Sequence, residues 1–238
     1  YAQAYIYTSA AMMAEADPKD IHEKVHMHPA DRASKTASLR ARITGWTLSG
    51  QNMPGQALTD KFATMLAKGI VKYVAWDTCI SKEQELLEEP AVKGLRITAD
   101  GILLQDAASD ITTTLSGEFL WDFALRRRAC AGDIAGLISF ESQHGWQETL
   151  KWHFLATPPP GFGRVSWTQL RNADQALWQE VAAACENGVK PVGANLETAF
   201  EVAWKAAVVN PKVLSYLQFL PSAAATRTQG QPDNELSN

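Results

Sequence analysis

The sequence predicts an α+β chain that is mostly α, a helical domain carrying a small β-hairpin or sheet element around residues 70–105. Three observations predict it. Apolar residues recur at three- and four-residue spacing along most of the chain, as the buried stripe of a helix requires. Proline, glycine and asparagine punctuate those periodic runs at intervals suited to helices of ordinary length. The string Leu95-Arg96-Ile97-Thr98, Ala99-Asp100-Gly101, Ile102-Leu103-Leu104 reads as two short strands about a turn, with Gly101 free to adopt positive φ. Residues 1–221 are expected to form one α-rich domain with a sub-boundary near 158–164, and 222–238 a disordered polar tail.

In chain order, Tyr5, Ile6, Met12 and Met13 among alanines predict a helix over residues 1–16, stopped before Asp17-Pro18. Asp31 to Ile43 reads as an exposed basic helix ending at Gly45. Leu58, Phe62, Met65 and Leu66 mark an amphipathic helix up to Gly69, and the β-branched run Ile70 to Trp76 reads as a strand. After the hairpin, Phe119, Leu120, Phe123 and Ala124 mark one helix. Ile134, Leu137 and Ile138 with Trp146, Leu150 and Phe154 mark a second, long and bent near Gly145, which Pro158-Pro159-Pro160 ends. Ser166 is expected to cap a short helix, Asn172 to cap Ala173–Glu186 before Asn187-Gly188, and Asn195 to cap Leu196–Val208. Val213 to Leu220 reads as a last docked helix or extended segment.

Composition excludes several classes. With 46% hydrophobic and 20% charged residues, the composition argues against disorder for most of the chain. The 22 basic against 26 acidic side chains give a net charge of −4, so bulk electrostatics would not hold the molecule on DNA, and only a local basic stripe could. Cys79, Cys130 and Cys185 are widely spaced and odd in number, which argues against a disulfide scaffold or a cysteine zinc module. No apolar run reaches membrane-spanning length, so no membrane partner is expected, and an intracellular soluble location is preferred to a secreted one. A start at Tyr1 suggests a processed fragment.

Two motifs carry candidate chemistry. His22-Glu23-Lys24-Val25-His26 matches the H-E-x-x-H pattern, in which two histidines on one helix face bind Zn²⁺ and the glutamate serves as general base. His28 supplies a third imidazole. The surrounding Lys19, Asp20 and Lys24 and the nearby Pro29 favour a solvated loop over a buried metal site, so neither a cofactor nor a catalytic residue is expected, and zinc at His22, His26 and His28 is the weaker alternative. The second motif is Arg126-Arg127-Arg128. Three consecutive helical residues span about 300° at 100° each, so they cannot all face one ligand. One reading pairs these rim arginines with acids such as Asp122 and Asp133; the other joins them with Arg32, Lys35, Arg40 and Arg42 in a basic stripe for RNA or DNA phosphates. Of the eight tryptophans, most fall at core spacing, while Trp46 near Arg42 and Trp152 near Lys151 would suit base stacking.

Several strings taken in order carry a resemblance: Leu39 to Gly45, Ala57-Leu58-Thr59-Asp60, Tyr73 to Cys79, Ala124 to Ala129, Pro158 to Phe162, Gln169-Leu170 with Ala173-Asp174, and Leu217 to Pro221. Over residues 35–221 the chain resembles uncharacterised proteins encoded by dinoflagellate mobile elements, near or fused to reverse-transcriptase reading frames. The resemblance implies an accessory protein that meets nucleic acid or self-associates around it, with no activity attached to particular residues. The expectation is a non-enzymatic accessory protein binding RNA or DNA through its basic helices. The alternatives are a protein-interaction scaffold and a zinc-dependent hydrolase using residues 22–26.

Overall fold

The computed structural model describes residues 25–87, 94–98, 101–105, 120–186 and 198–222. The expected helix at 1–16, His22, the Asn187-Gly188 stop, the Asn195 cap and the tail beyond 222 lie outside the described residues. The molecule is mostly helical. Helix α1 (Pro29–Arg42) starts with proline at its first position and with His28 Nδ1 accepting from the Ala30 N–H; acidic Asp31 in its first turn and Arg40 and Arg42 in its last complement the helix dipole. Helix α2 (Gln56–Lys68) ends at Gly69, whose φ of 70° is the left-handed conformation glycine adopts at least cost. The free N–H groups of Gln56 and Ala57 at its start are taken by the two carboxylate oxygens of Glu85, on the short α3 (Lys82–Leu87), at 2.5 and 2.7 Å.

Helix α4 (Leu120–Ala135) and helix α5 (Phe140–Leu155) are separated by a turn at Gly136, with φ of 79°. The long helix expected from Ile134 to Phe154 is instead broken at Gly136, where positive φ is demanded; Ser139 then caps α5, which continues through Gly145. Helix α6 (Trp167–Ala184) carries a capping box in which Ser166 and Gln169 satisfy each other's backbone N–H groups, an arrangement worth about 1 kcal/mol. Asn172 is therefore mid-helix rather than a cap. Helix α7 (Ala199–Ala207), capped by Thr198, and the short α8 (Pro211–Leu214) with its 3₁₀ turn Ser215–Leu217 complete the body. From there the chain runs back as a strap along the Pro158–Val165 loop: Gly163 N–H donates to Leu220 O, Ser222 N–H to Gly161 O, and Gln169 Nε2 to the carbonyls of Tyr216 and Gln218.

A sheet over residues 70–105 is not supported. Residues 70–75 are irregular and Trp76–Thr78 is a 3₁₀ turn; no described strand lies alongside to pair with them, and Val74 O accepts from Arg128 while Ala75 O accepts from the Thr78 N–H and hydroxyl. Backbone pairing among the described strands is confined to β1 (Gly94–Thr98) and β2 (Gly101–Gln105), antiparallel with Ile97 opposite Ile102 in a two-stranded ribbon.

That core is continuous from α2 to the 3₁₀ turn after α8, joining Phe62, Trp76, Trp121, Trp146, Leu170, Trp178, Phe200, Trp204 and Leu217. Five tryptophans lie fully inside it, several in edge-to-face or stacked pairs such as Trp76 on Trp121 at 5.8 Å and Trp178 on Trp204 at 5.6 Å. A smaller cluster of Leu39, Leu48, Ala129, Cys130, Ile134 and Phe140 seats α1 on α4.

Candidate functional site

The arginine triplet of α4 faces inward. Arg128, 2% exposed, donates from both terminal nitrogens to the Asp174 carboxylate at 2.7 Å each, and its guanidinium lies 5.5 Å from the Trp178 ring centre. Asp174, fully buried on α6, also accepts the indole N–H of Trp76 at 2.6 Å and of Trp146 at 2.9 Å. Four donors on one carboxylate satisfy the charge that burial would otherwise make costly. Burial acts to lower the Arg128 pKa, but the adjacent Asp174 charge outweighs it and holds the value above normal. Arg127, 5% exposed, donates to Cys79 O at 2.6 Å and Gln51 O at 2.9 Å; with neutral carbonyls as its acceptors, burial leaves its pKa below the ordinary value. Neither guanidinium reaches a surface, which corrects the expectation of phosphate contacts at Arg127 and Arg128. Arg126 is half-buried, paired with Asp122 at 2.9 Å and lying 5.4 Å from the Trp46 ring centre.

The basic residues of α1 are likewise engaged within the molecule. Arg32 Nη2 lies 2.6 Å from Asp60 Oδ1, Lys35 reaches Ala135 O at 3.5 Å, Arg40 donates to Leu48 O at 3.1 Å, and Arg42 bridges Asp133 at 2.6 Å and Glu141 at 3.4 Å. The spacing that suggested a stripe belongs to a helix fastened to α2 and α4 by its cations. Trp46 is packed on Phe140 at 5.7 Å, whereas Trp152 is two-thirds exposed.

His22 lies outside the described residues; Val25 to His28 is irregular chain, His26 Nδ1 lies 2.8 Å from Asp60 Oδ2, and His28 caps α1. Asp60 also accepts the Met27 N–H, so this segment is a clamp on α2. Among the described residues no group of three His, Cys, Asp or Glu side chains could hold a metal ion. Burial pushes the Cys79 thiol up to about 11 and raises Cys130 and Cys185 as well, leaving all three protonated and unreactive at neutral pH.

A different place offers accessible chemistry. Thr168, Arg171, Asn172 and Gln175 lie at i, i+3, i+4 and i+7 on the solvent side of α6, opposite the buried Leu170, Ala173, Asp174, Leu177 and Trp178. With Tyr73 and Trp167 they line a cleft of about 250 Å³. The aromatic walls are held from behind: Tyr73 is edge-on to Trp178 at 6.0 Å, and Trp167 is edge-on to Trp76 at 5.1 Å and Trp121 at 5.7 Å. Burial first, and then the Asp174 charge, drive the Tyr73 hydroxyl pKa well above its ordinary value, so it stays a neutral phenol. Exposed Lys72, Arg164 and Arg171 make no hydrogen bond or ion pair among the described residues. Placing a helix start at Asn172 hid this stripe, because it assigned Thr168 and Arg171 to a different element from Gln175. Reading 167–184 as one helix would have revealed the polar face as the complement of the apolar one. Comparison with protein-family models, with curated proteins and with solved structures found no match.

Proposed function

We propose that the chain is a non-enzymatic accessory protein of a mobile element that contacts RNA or DNA, not through its arginine triplet or its first basic helix but through the cations left unpaired around the α6 cleft. The mobile-element context rests on the ordered strings in the sequence. The observation that carries the binding role is the division of the cations: those on α1 and α4 named as candidates have protein partners, while Lys72, Arg164 and Arg171 are exposed beside, or close in sequence to, the aromatic cleft and have none among the described residues. Free guanidinium and ammonium groups contact phosphate without reading sequence.

Fluorescence anisotropy of labelled single-stranded RNA and duplex DNA, titrated at 50 and 200 mM salt, tests this. Three phosphate contacts to a single strand should lower affinity about 20-fold across that salt range. The Lys72→Ala/Arg164→Ala/Arg171→Ala variant should lose most of both affinity and salt dependence; unchanged binding by that variant overturns the assignment.

A second reading, a protein-interaction scaffold with no nucleic-acid role, is favoured by Trp152, Leu155, Phe162 and Leu220, large apolar side chains exposed on the end of α5, the following loop and the strap. Under it both oligonucleotides stay unbound at both salts. Sedimentation of the protein alone then gives a mass above the monomer that falls with Trp152→Ser.

A further inference from the structure

We infer that the α6 cleft takes one unpaired nucleotide unit, its base against the Tyr73 and Trp167 walls and its phosphate on Arg171, so that the protein prefers single strands to duplex. The inference rests on the nucleic-acid reading above and adds a base to it. The volume is the first reason. At about 250 Å³ the cleft falls below the roughly 300–1,000 Å³ of sites for drug-sized ligands and matches a single planar group.

The lining is the second reason. Tyr73 and Trp167 are partly exposed aromatic rings anchored from behind by Trp178, Trp76 and Trp121, so presenting them costs little side-chain entropy. A base stacked on such a wall gains affinity whatever its identity, because every base has a π-face. Asn172 and Gln175, exposed one turn apart along α6, each present an amide carbonyl and an amide N–H₂, the donor and acceptor pair that an unpaired base edge also presents. Arg171 immediately precedes Asn172 in sequence and supplies the one cation of the lining. A base inside a duplex is paired on that edge and stacked on both faces, so it cannot offer either surface without being flipped out.

The same unit could arrive as a free mononucleotide or as part of a strand, and the experiment separates the two. Anisotropy is measured at 50 mM salt with a labelled 12-nucleotide single strand, its duplex, and the single strand with its bases removed, each with and without adenosine monophosphate at millimolar concentration. The expected result is that the intact single strand binds on the order of tenfold more tightly than the duplex or the abasic strand. Asn172→Ala/Gln175→Ala, both exposed and distant from the core, should erode that preference while leaving the salt dependence in place. Displacement by adenosine monophosphate assigns the cleft to mononucleotides as well as strands; no displacement assigns it to strands.

Equal binding of intact, abasic and duplex forms, with Arg171→Ala weakening all three, overturns the base pocket while the phosphate-contact reading stands. Absence of binding by every form overturns both. The Asn172→Ala/Gln175→Ala variant keeping the full single-strand preference also sinks the pocket as described, and its thermal melting confirms that it is folded.

Discussion

Asp174 and Arg171 are neighbours on α6, three residues apart, and they do opposite things. Asp174 points into the core and is saturated by Arg128, Trp76 and Trp146; Arg171 points to solvent and has no hydrogen bond or ion pair among the described residues. A charge surrounded by donors in a low-dielectric interior holds helices in register, because removing any partner strands the others. A charge facing water beside an aromatic cleft costs the fold nothing and stays available to a ligand. The difference teaches that function here follows from what surrounds a charged side chain, and that density of charge in the sequence is a poor guide to it.

The largest test of this contrast is at the node. Asp174→Ala should lose about 3–5 kcal/mol in urea denaturation, because it leaves the buried Arg128 charge and two indole N–H groups unpaired. Replacing both partners, as in Arg128→Met/Asp174→Leu, should cost less than the sum of the single losses. A loss below about 1 kcal/mol for Asp174→Ala would remove the node from the account.

A steric change comes next. A Cβ on Gly132 would lie 2.2 Å from Gln143 Nε2 and 2.8 Å from Ile138 Cγ2, so Gly132→Ala should force α4 and α5 apart at a cost of about 1–3 kcal/mol, read as a lowered urea midpoint.

Glu201 sharpens the comparison through pH. Burial alone would raise its pKa, but hydrogen bonds from Ser139 and Ser142 and the charge of Lys205 overcome burial and leave it below the ordinary value of 4.5. A carboxylate depressed on folding adds stability above its unfolded pKa, and that stability is lost as pH falls through the folded one. The melting-temperature advantage of the native protein over Glu201→Gln should therefore be full at pH 7 and shrink below about pH 4.5. An advantage that does not change down to pH 3 would contradict the assigned contacts.

The smallest stability effects belong to the exposed cations. Arg42→Ala should cost no more than about 1 kcal/mol despite its two acidic partners, since water competes for that pair. Arg171→Ala should stay within about 0.5 kcal/mol of the native protein in the same denaturation series.

Helix periodicity was legible wherever one face is buried: Leu58, Phe62 and Met65 mark α2, Trp146 and Leu150 mark α5, and all sit in the core. Residues 70–76 misled because β-branched and aromatic residues suit a buried irregular segment as well as a strand, and only a pairing neighbour distinguishes the two. Asn172 misled because a good capping residue is also tolerated on an exposed helix face. The arginine triplet misled for a deeper reason. Arg126 pairs with Asp122 at a local i,i+4 spacing, but the partners of Arg127 and Arg128 are Asp174, 46 residues from Arg128, and the carbonyls of Gln51, Val74 and Cys79, and no local pattern encodes a hydrogen bond to a distant carbonyl.

The most direct measurement compares Arg171→Ala with Arg126→Ala in one anisotropy titration of labelled single-stranded RNA at 50 mM salt, both proteins being checked for native melting. The account predicts that Arg171→Ala weakens binding several-fold while Arg126→Ala, whose guanidinium is paired to Asp122 beneath Trp46, binds as the native protein does. Loss of binding in Arg126→Ala with Arg171→Ala unaffected would return the ligand to the α4 arginines and contradict the account.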